Sequence, residues 1–359
     1  MKKLALFLIF CFVCISAKAA DYRAALVADM NTGNVLYSEN ANDVNYPASL
    51  TKIMTLYLTF DALEHKRLNL DDQLIVSAAA ANAAPMKLGL AAGSKIKVED
   101  AIKAVAVHSA NDVARVLAEN LKGGKEGSFA SLMTRVATDI GLAKTNFENA
   151  SGLPDDEHLS SARDMALLGI AVYKHFPQYW KYFGIKTWDY NGKTYTNGNR
   201  LLGVYPGADG MKTGFTNKSR YSLVATAKRD GRHLIAVVLG AENKDVRAAV
   251  ATRLLDRGFG IESKSNYNFT EKQEQTINSV PVKAVKISSG NSGIQFGAYG
   301  SRGAAETQIK KVKNTTGLNA DIEIAPNGMY RVRVNNLSMQ NAKSICENAK
   351  QKNMDCYTF

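Results

Sequence analysis

The stretch PASLTKIMT at residues 47–55 places a serine and a lysine three positions apart at the start of an apolar run. Side chains at positions i and i+3 of a helix lie on one face, so Ser49 and Lys52 would be neighbours. A serine needs a base to become a nucleophile, and a lysine is that base when burial and nearby positive charge lower its pKa. Apolar residues nearly encircle the helix predicted over 49–65, which indicates that this helix is buried.

A second hydroxyl and an amide follow in the motif Ser109-Ala110-Asn111, at the end of a helix predicted over 100–107. Asp112 is predicted to cap the next helix, over 113–121. A third motif, Lys-Thr-Gly at 212–214, precedes a strand pattern. A lysine and a hydroxyl at a strand edge suit a substrate carboxylate, and the glycine lets a peptide lie against the strand. Alone, each motif is equally typical of an ordinary turn or cap.

Strand patterns lie at both ends of the region that holds these motifs. Residues 22–30 and 35–37 form one predicted hairpin, and residues 221–227 and 233–239 form another around the turn at 229–232. Most of the sequence between them has helical periodicity. This order predicts an α/β (α+β) domain in which an antiparallel sheet gathers both ends and is covered by helices.

The order Ser-x-x-Lys, Ser-x-Asn, Lys-Thr-Gly is the motif set of penicillin-binding proteins and class A β-lactamases. Residues 21 to about 260 resemble the D-alanyl-D-alanine carboxypeptidases among the low-molecular-mass penicillin-binding proteins. The resemblance is carried by PASLTKIMT and by three further stretches, ASGLP at 150–154, SSARDMA at 160–166 and DGMKTGFT at 209–216. It implies the serine β-lactamase-like fold. It also implies a serine-type peptidase that removes the terminal D-alanine from peptidoglycan stem pentapeptides.

The resemblance implies a role for each motif residue. Ser49 attacks the carbonyl of the penultimate D-alanine, and Lys52 accepts its proton. Ser109 relays a proton to the departing D-alanine, and Asn111 orients Lys52 and the substrate amide. Lys212 supplies positive charge that keeps Lys52 neutral. A β-lactam, which mimics the D-Ala-D-Ala end, would acylate the same serine.

The resemblance also implies a substrate-binding set around the third motif. Thr213 binds the terminal carboxylate, and Arg200 and Arg247 match arginines near the family's carboxylate-binding region. Gly214 lies along the bound peptide. The backbone N–H of Phe215, with that of the nucleophile, forms the oxyanion hole.

The C-terminal segment has the order strand, helix, strand, strand, helix, strand, which predicts a small βαββαβ ferredoxin-like domain. Residues 285–359 resemble the sporulation-related repeat (SPOR) domain through IQFGAY at 294–299 and MYRVRV at 329–334. The resemblance implies binding to septal glycan strands that lack stem peptides. Asn335-Asn336 stands where the family usually has Gly-Pro. The candidate glycan-binding residues, whose facing the pattern leaves open, are Gln295, Tyr299, Tyr330, Arg331 and Arg333.

The first 19 residues have the pattern of an export signal, with two lysines, an apolar run and Ala17-Lys18-Ala19. An uncleaved anchor is the alternative; after cleavage no membrane attachment is expected. We predict a signal peptide at 1–19, a catalytic domain at 20–262, a polar linker at 263–284 containing the start of a short strand over 280–287, and the SPOR domain at 285–359. The expected location is the periplasm, enriched at the division septum.

Composition excludes several other classes of function. The formal net charge is +12, which suits anionic partners, but export makes nucleic acid the poorest of these. No Cys/His cluster has metal-ligand spacing, and no cofactor motif is present, so neither is expected. Of the cysteines, Cys346 and Cys356 remain after signal cleavage, and an oxidising compartment permits a disulfide between them.

Three rival functions follow from the same residues. Class A β-lactamases use a general-base glutamate, but residues 160–164 contain no Glu-x-x-x-Asn pattern. A D,D-endopeptidase that cuts crosslinks would use the same catalytic motifs, so the sequence leaves it open. A non-catalytic wall-binding protein is disfavoured because all three motifs are intact.

Overall fold

The computed structural model describes residues 21–261, 292–316, 318–324, 329–337, 339–351 and 354–358. The predicted signal peptide, linker and strand at 280–287 lie outside the described residues. The chain divides into two compact units: one contains the three catalytic motifs, and the other contains the described residues from 292 onward. Within the described ranges, no helix is both long and apolar enough to cross a membrane.

A five-stranded antiparallel sheet of order β2-β1-β9-β8-β7 forms the centre of the larger unit. It joins strands from both ends of the unit, which confirms the predicted sheet. The strands are β1 Ala24–Asp29, β2 Val35–Glu39, β3 Gln73–Ile75, β4 Lys95–Lys97, β5 Thr187–Tyr190, β6 Lys193–Thr196, β7 Ala208–Thr216, β8 Arg220–Arg229 and β9 Arg232–Ala241.

Helices cover both faces of this sheet. On one face Leu234 and Ala236 of β9 share a core with Leu254 of the last helix. On the other, Ile235 lies against Gly169, because successive side chains of a strand point to opposite faces. The helices are α1 Lys52–Glu64, α2 Ala78–Ala81, α3 Val98–Lys103, α4 Asn111–Leu121, α5 Glu126–Asp139, α6 Ala162–His175 and α7 Lys244–Phe259; 3-10 helices occupy Ala48–Thr51 and Pro177–Gly184.

The segment before α4 departs from the predicted pattern. A π-helical turn, Ala104–His108, extends α3 and ends at Ser109, whose φ of 63° is left-handed. Helix α4 begins at Asn111, and no side chain caps it. The prediction that Asp112 caps this helix is wrong. Asp112 lies inside the first turn, and its buried carboxylate accepts hydrogen bonds from a neighbouring loop.

The smaller unit has the predicted βαββαβ order, with a four-stranded antiparallel sheet. Its core lies between the sheet and two helices and includes Ile294, Phe296, Val332 and Val334. A disulfide joins Cys346 and Cys356, with an S–S length of 2.06 Å. The elements are β10 Ser292–Tyr299, α8 Arg302–Thr316, β11 Asp321–Ile324, β12 Tyr330–Leu337, α9 Met339–Gln351 and β13 Tyr357–Thr358, and the strand order is β11-β12-β10-β13.

Candidate active site

The amine of Lys52 is the centre of a buried cluster that joins the first two motifs. Its Nζ lies 3.0 Å from Oγ of Ser49 and 2.7 Å from Oδ1 of Asn111. The carbonyl oxygen of Ser151 completes the cluster at 2.6 Å. The side chain of Lys52 is fully buried. The first two predicted motifs therefore converge, and a third segment joins them.

Sequence reasoning gave no role to the segment that supplies the Ser151 carbonyl. Oδ1 of Asn149 accepts the N–H groups of Ser151, Gly152 and Leu153 at 3.1, 2.7 and 3.1 Å, which folds the loop around one oxygen. Gly152 has φ of 79°, and a Cβ there would lie 1.8 Å from the carbonyl oxygen of Ala48. Asparagine, serine and glycine at 149, 151 and 152 are turn-forming residues that would have marked this loop.

Strand β7 brings the third motif to the same place. A Cβ built on Gly214 would lie 2.9 Å from the carbonyl oxygen of Pro47 and 3.3 Å from the backbone nitrogen of Ser49. The glycine is required because the strand passes this close to the turn that carries Ser49. Lys212, two residues earlier, is buried, and its Nζ donates to the carbonyl oxygen of Thr213 at 3.1 Å.

Burial and like charge govern the protonation of the two lysines. Burial holds the pKa of Lys52 far below its ordinary value; Lys212 lowers this pKa further, and Asp112 opposes the shift. Burial and the nearby charge of Arg247 lower the pKa of Lys212 to about 7. Both effects favour the neutral form of the Lys52 amine, which is the state a general base requires.

Arg247 and Thr213 both lie close to Gly198. The Arg247 guanidinium is buried, and Nη2 donates to the carbonyl oxygen of Gly198 at 3.3 Å. Its Nε has no hydrogen-bond partner among the described residues. A Cβ on Gly198 would lie 2.8 Å from Oγ1 of Thr213. Arg200 is exposed and forms a surface ion pair with Asp245 at 2.5 Å. Burial and the nearby charge of Arg200 lower the pKa of Arg247 to about 10.

The remaining predicted site residues also have defined surroundings. Oγ of Ser109 is buried and has no hydrogen-bond partner within the described part of the chain. The amide nitrogen of Asn111 donates to the carbonyl oxygens of Ala84 and Pro85 at 3.1 and 3.0 Å. Phe215 is half exposed, with its ring 4.4 Å from that of Tyr221.

The helix-free face of the smaller sheet carries part of the predicted glycan set. Val332 and Val334 are in the core, so Arg331 and Arg333 point to the other face. Nε of Arg333 donates to Oε1 of Gln295 at 2.9 Å. Tyr357, which sequence reasoning missed, pairs with Gln295 in register and is 52% exposed.

Two predicted glycan residues lie elsewhere in this unit. Tyr299 and Tyr330 are opposite each other in register and pack against the apolar core. The hydroxyl of Tyr299 donates to the carbonyl oxygen of Phe296 at 3.2 Å. In the larger unit and the described C-terminal residues, no group of three or more His, Cys, Asp or Glu is placed to hold a metal ion.

Comparison with known proteins gives matches over both units. The family model described as D-alanyl-D-alanine carboxypeptidase matches residues 13–243, and the SPOR domain model matches residues 288–358. D-alanyl-D-alanine carboxypeptidase DacF of Bacillus subtilis is 35% identical over 277 residues, covering 76% of this chain and 70% of that protein.

Solved structures are similar over the larger unit. Penicillin binding protein 5 from Haemophilus influenzae matches with a TM-score of 0.65 and 33% identity, over 67% of this chain and 71% of that one. Ampicillin-bound penicillin-binding protein D2 from Listeria monocytogenes matches with a TM-score of 0.59 and 30% identity, over 67% of this chain and 97% of that one.

Proposed function

The chain belongs to the D-alanyl-D-alanine carboxypeptidase family of serine hydrolases and carries a SPOR domain, and from this premise we propose that it removes the terminal D-alanine from peptidoglycan stem pentapeptides through an acyl-enzyme on Ser49. The observation that carries the proposal is the set of oxygens around Lys52. A neutral amine has two N–H groups and one lone pair. The oxygens of Asn111 and Ser151 only accept, so they take the N–H groups. The lone pair then faces the Ser49 hydroxyl, which donates to it.

Acylation follows from this arrangement. Oγ of Ser49 attacks the carbonyl carbon of the penultimate D-alanine while its proton moves to Nζ of Lys52. The N–H groups of Ser49 and Phe215 stabilise the oxyanion, a role supported by the close approach of Gly214 to Ser49. The C–N bond then breaks, and the proton held by Lys52 passes through Ser109 to the leaving amine, which restores the neutral base. Water hydrolyses the ester and restores the serine.

The unpaired hydroxyl of Ser109 supports its role as relay. Most buried polar side-chain atoms have a hydrogen-bond partner, and this Oγ has none among the described residues. Ser109 lies between the π-helical turn and α4, and its left-handed backbone conformation sets the direction of its Cα–Cβ bond. We assign the missing partner to the substrate. Asn111 orients Lys52 through Oδ1; any contact of Asn111 with the substrate amide stays a prediction.

A carboxylate-binding site at Arg247 and Thr213 defines the C-terminal end of the substrate. Arg247 is a buried cation that forms no ion pair within the described residues. A buried charge without a partner is costly, so an anion that binds beside it is strongly stabilised. The terminal carboxylate of the stem peptide is that anion, with Oγ1 of Thr213 donating to it. Arg200 pairs with Asp245 instead, so the proposed site does not depend on it.

The proposal includes covalent inhibition by β-lactams, and this provides the direct test. Intact-mass measurement after incubation with benzylpenicillin should show one added penicillin, located by peptide mapping on the fragment that contains Ser49. Ser49→Ala should remain unmodified, whereas the exposed serine variant Ser131→Ala should be modified like the wild type. An adduct retained in Ser49→Ala would show that another residue is the nucleophile.

We propose that the SPOR domain holds the enzyme on septal glycan through the helix-free face of its sheet. Gln295, Arg331 and Arg333 lie on this face. Gln295 is buried and accepts from Arg333, so the face offers mainly the cationic groups of the two arginines to sugar hydroxyls. Tyr299 and Tyr330 support the face from the core side rather than lying open on it. With a signal peptide at 1–19 and a linker at 263–284, the mature enzyme would act in the periplasm at the septum.

A further inference from the structure

Asp112, the residue after the Ser-x-Asn motif, is a buried carboxylate that is bound only by backbone N–H groups. It accepts from Leu88 at 3.1 Å, Gly89 at 2.9 Å and Leu90 at 3.4 Å. A fourth bond comes from Val113 at 2.9 Å. No cation pairs with it among the described residues. An ionised group is stable in such a place only while its hydrogen bonds are kept, so the loop and Asp112 fix each other.

The same loop, residues 84–90, also fixes Asn111. The side-chain nitrogen of Asn111 donates to the carbonyl oxygens of Ala84 and Pro85, and its backbone N–H donates to Met86 at 2.7 Å. An amide carries its oxygen opposite its nitrogen. Because the loop holds the nitrogen, Oδ1 faces Nζ of Lys52 at 2.7 Å.

We propose that Asp112 is a positioning residue for the general base: it holds the 84–90 loop at Leu88–Leu90, and the loop holds the Asn111 amide against Lys52. Asp112 makes no hydrogen bond to Lys52 itself, so its effect on geometry passes through the loop. The proposal rests on the proposed function, because it assigns Lys52 as the base.

The charge of Asp112 gives the proposal a readout that a purely structural role would not move. The charged or titratable groups near the Lys52 amine are Lys212 on β7, Asp112 on α4 and His158 after the 149–153 loop. Of these, Asp112 favours the protonated amine. Replacing Asp112 with a neutral residue removes that effect and lowers the pKa of Lys52. The acidic limb of the activity profile, where protonation of Lys52 abolishes activity, should therefore move to lower pH.

The experiment compares Asp112→Asn and Asp112→Glu in the full chain, with release of D-alanine measured against pH. Misplacing a catalytic group by about 1 Å costs on the order of 100-fold, so Asp112→Asn should lower kcat about 10- to 100-fold and leave KM within about threefold. Its acidic limb should move to lower pH. Asp112→Glu keeps the charge, so it should lower kcat without moving the limb.

Asp164→Asn is the matched control. Asp164 is equally buried and accepts a backbone N–H from Lys144 and the hydroxyl of Thr145, both at 2.7 Å, but it touches none of the three motifs. Its variant should keep the wild-type acidic limb. A limb that moves equally in Asp164→Asn and Asp112→Asn would overturn the proposal, as would unfolding of both Asp112 variants.

A double-mutant cycle tests the route through Asn111. Interacting residues show non-additive effects, whereas independent residues add. In an Asn111→Ala background, Asp112→Asn should cause no further loss in the rate of penicillin acylation; a full additional loss would overturn the proposal. If the wild type neither releases D-alanine nor takes up penicillin, the proposed function itself fails. If the wild type is active and the Asp112 variants behave like it, the proposed function stands and only the positioning role is wrong.

Discussion

The carbonyl oxygen of Ser151 lies 2.6 Å from Nζ of Lys52, although the two residues are 99 positions apart. On the proposed mechanism, this contact sets the direction of proton transfer. With Asn111 Oδ1 it would take both N–H groups of a neutral amine and leave the lone pair for the Ser49 hydroxyl. The proposed base is thus held by a loop outside the three motifs.

Replacing Lys52 with a permanently protonated side chain should slow acylation strongly. Lys52→Arg leaves a group that stays protonated in proteins, so it cannot accept the Ser49 proton. We expect the rate of acylation by fluorescent penicillin to fall by about 100- to 10,000-fold, the usual contribution of general-base catalysis. Circular dichroism should confirm that the variant is folded. A folded Lys52→Arg enzyme with wild-type acylation would rule out Lys52 as the base.

Lys212→Met should shift the pH dependence of kcat/KM. Lys52 acts in its neutral form, so activity is lost as pH falls through its pKa. Lys212 lowers that pKa; removing its charge therefore raises it, and the acidic limb should move to higher pH. The quantity to compare is the pH at which kcat/KM falls to half its maximum on the acidic side. The maximum itself is no guide, because the variant also loses rate at every pH. An unmoved midpoint would mean that Lys212 does not tune the base.

Arg247→Ala should weaken recognition of the free carboxylate. A hydrogen bond to a charged group contributes about 1.5–3 kcal/mol, so kcat/KM for a D-Ala-D-Ala substrate should fall roughly 10- to 150-fold. The amidated substrate should react poorly with wild type and variant alike. Arg200→Ala, which removes the exposed cation that pairs with Asp245, serves as the control and should lose much less than Arg247→Ala. Equal losses in both arginine variants would contradict the assignment.

Gly152→Ala should disrupt the site more than its backbone conformation alone explains. Gly152 and Gly141 both have positive φ, but a Cβ on Gly152 meets Ala48 at 1.8 Å, whereas one on Gly141 meets nothing within 4 Å. A left-handed conformation costs a non-glycine residue about 1–2 kcal/mol. Gly141→Ala should therefore lower the free energy of unfolding by that amount and leave acylation unchanged. Gly152→Ala should lose more stability and most acylation. Similar behaviour of the two variants would show that the contact with Ala48 is unimportant.

Arg331→Ala should reduce retention of the full-length protein on glycan strands stripped of stem peptides. Arg331 lies on the helix-free face and forms no ion pair within the described residues, so truncating it removes a cation without breaking an internal contact. Arg302→Ala removes an exposed cation on α8 and should cosediment with glycan like the wild type. Loss of binding in Arg302→Ala alone would place the glycan on another surface.

Much of the site could be predicted because the catalytic motifs are local patterns. Ser49 and Lys52 are one turn apart, and the apolar run that follows them indicates burial. The roles of Ser151 and Asp112 could not be predicted in this way. The first acts through a backbone carbonyl, which leaves no mark on residue identity. Asp112 is a residue type that commonly caps a helix, and only the position of the 84–90 loop gives its carboxylate other partners.

In the C-terminal unit, too, the sequence predicted some features and left others open. Alternation along the strands predicted the βαββαβ order, but it left the facing of Tyr299, Tyr330 and Arg331 open. Side chains alternate along a strand, so the facing depends on register, and a register shift in β10 between Gln295 and Ala298 sets it here. Tyr299 consequently packs with the core, whereas Tyr357 is exposed on the sheet.

The sequence by itself predicted the candidate catalytic residues, the family and the order of the elements, because these depend on residue type, spacing and periodicity along the chain. Tertiary structure alone decided the burial of Lys52, the oxygens around its amine and the lack of an ion pair to Arg247 within the described residues. These properties depend on contacts between residues far apart in the chain, such as those of Lys52 with Asn111 and Ser151, 59 and 99 positions away. A pattern read along the chain does not contain such distances.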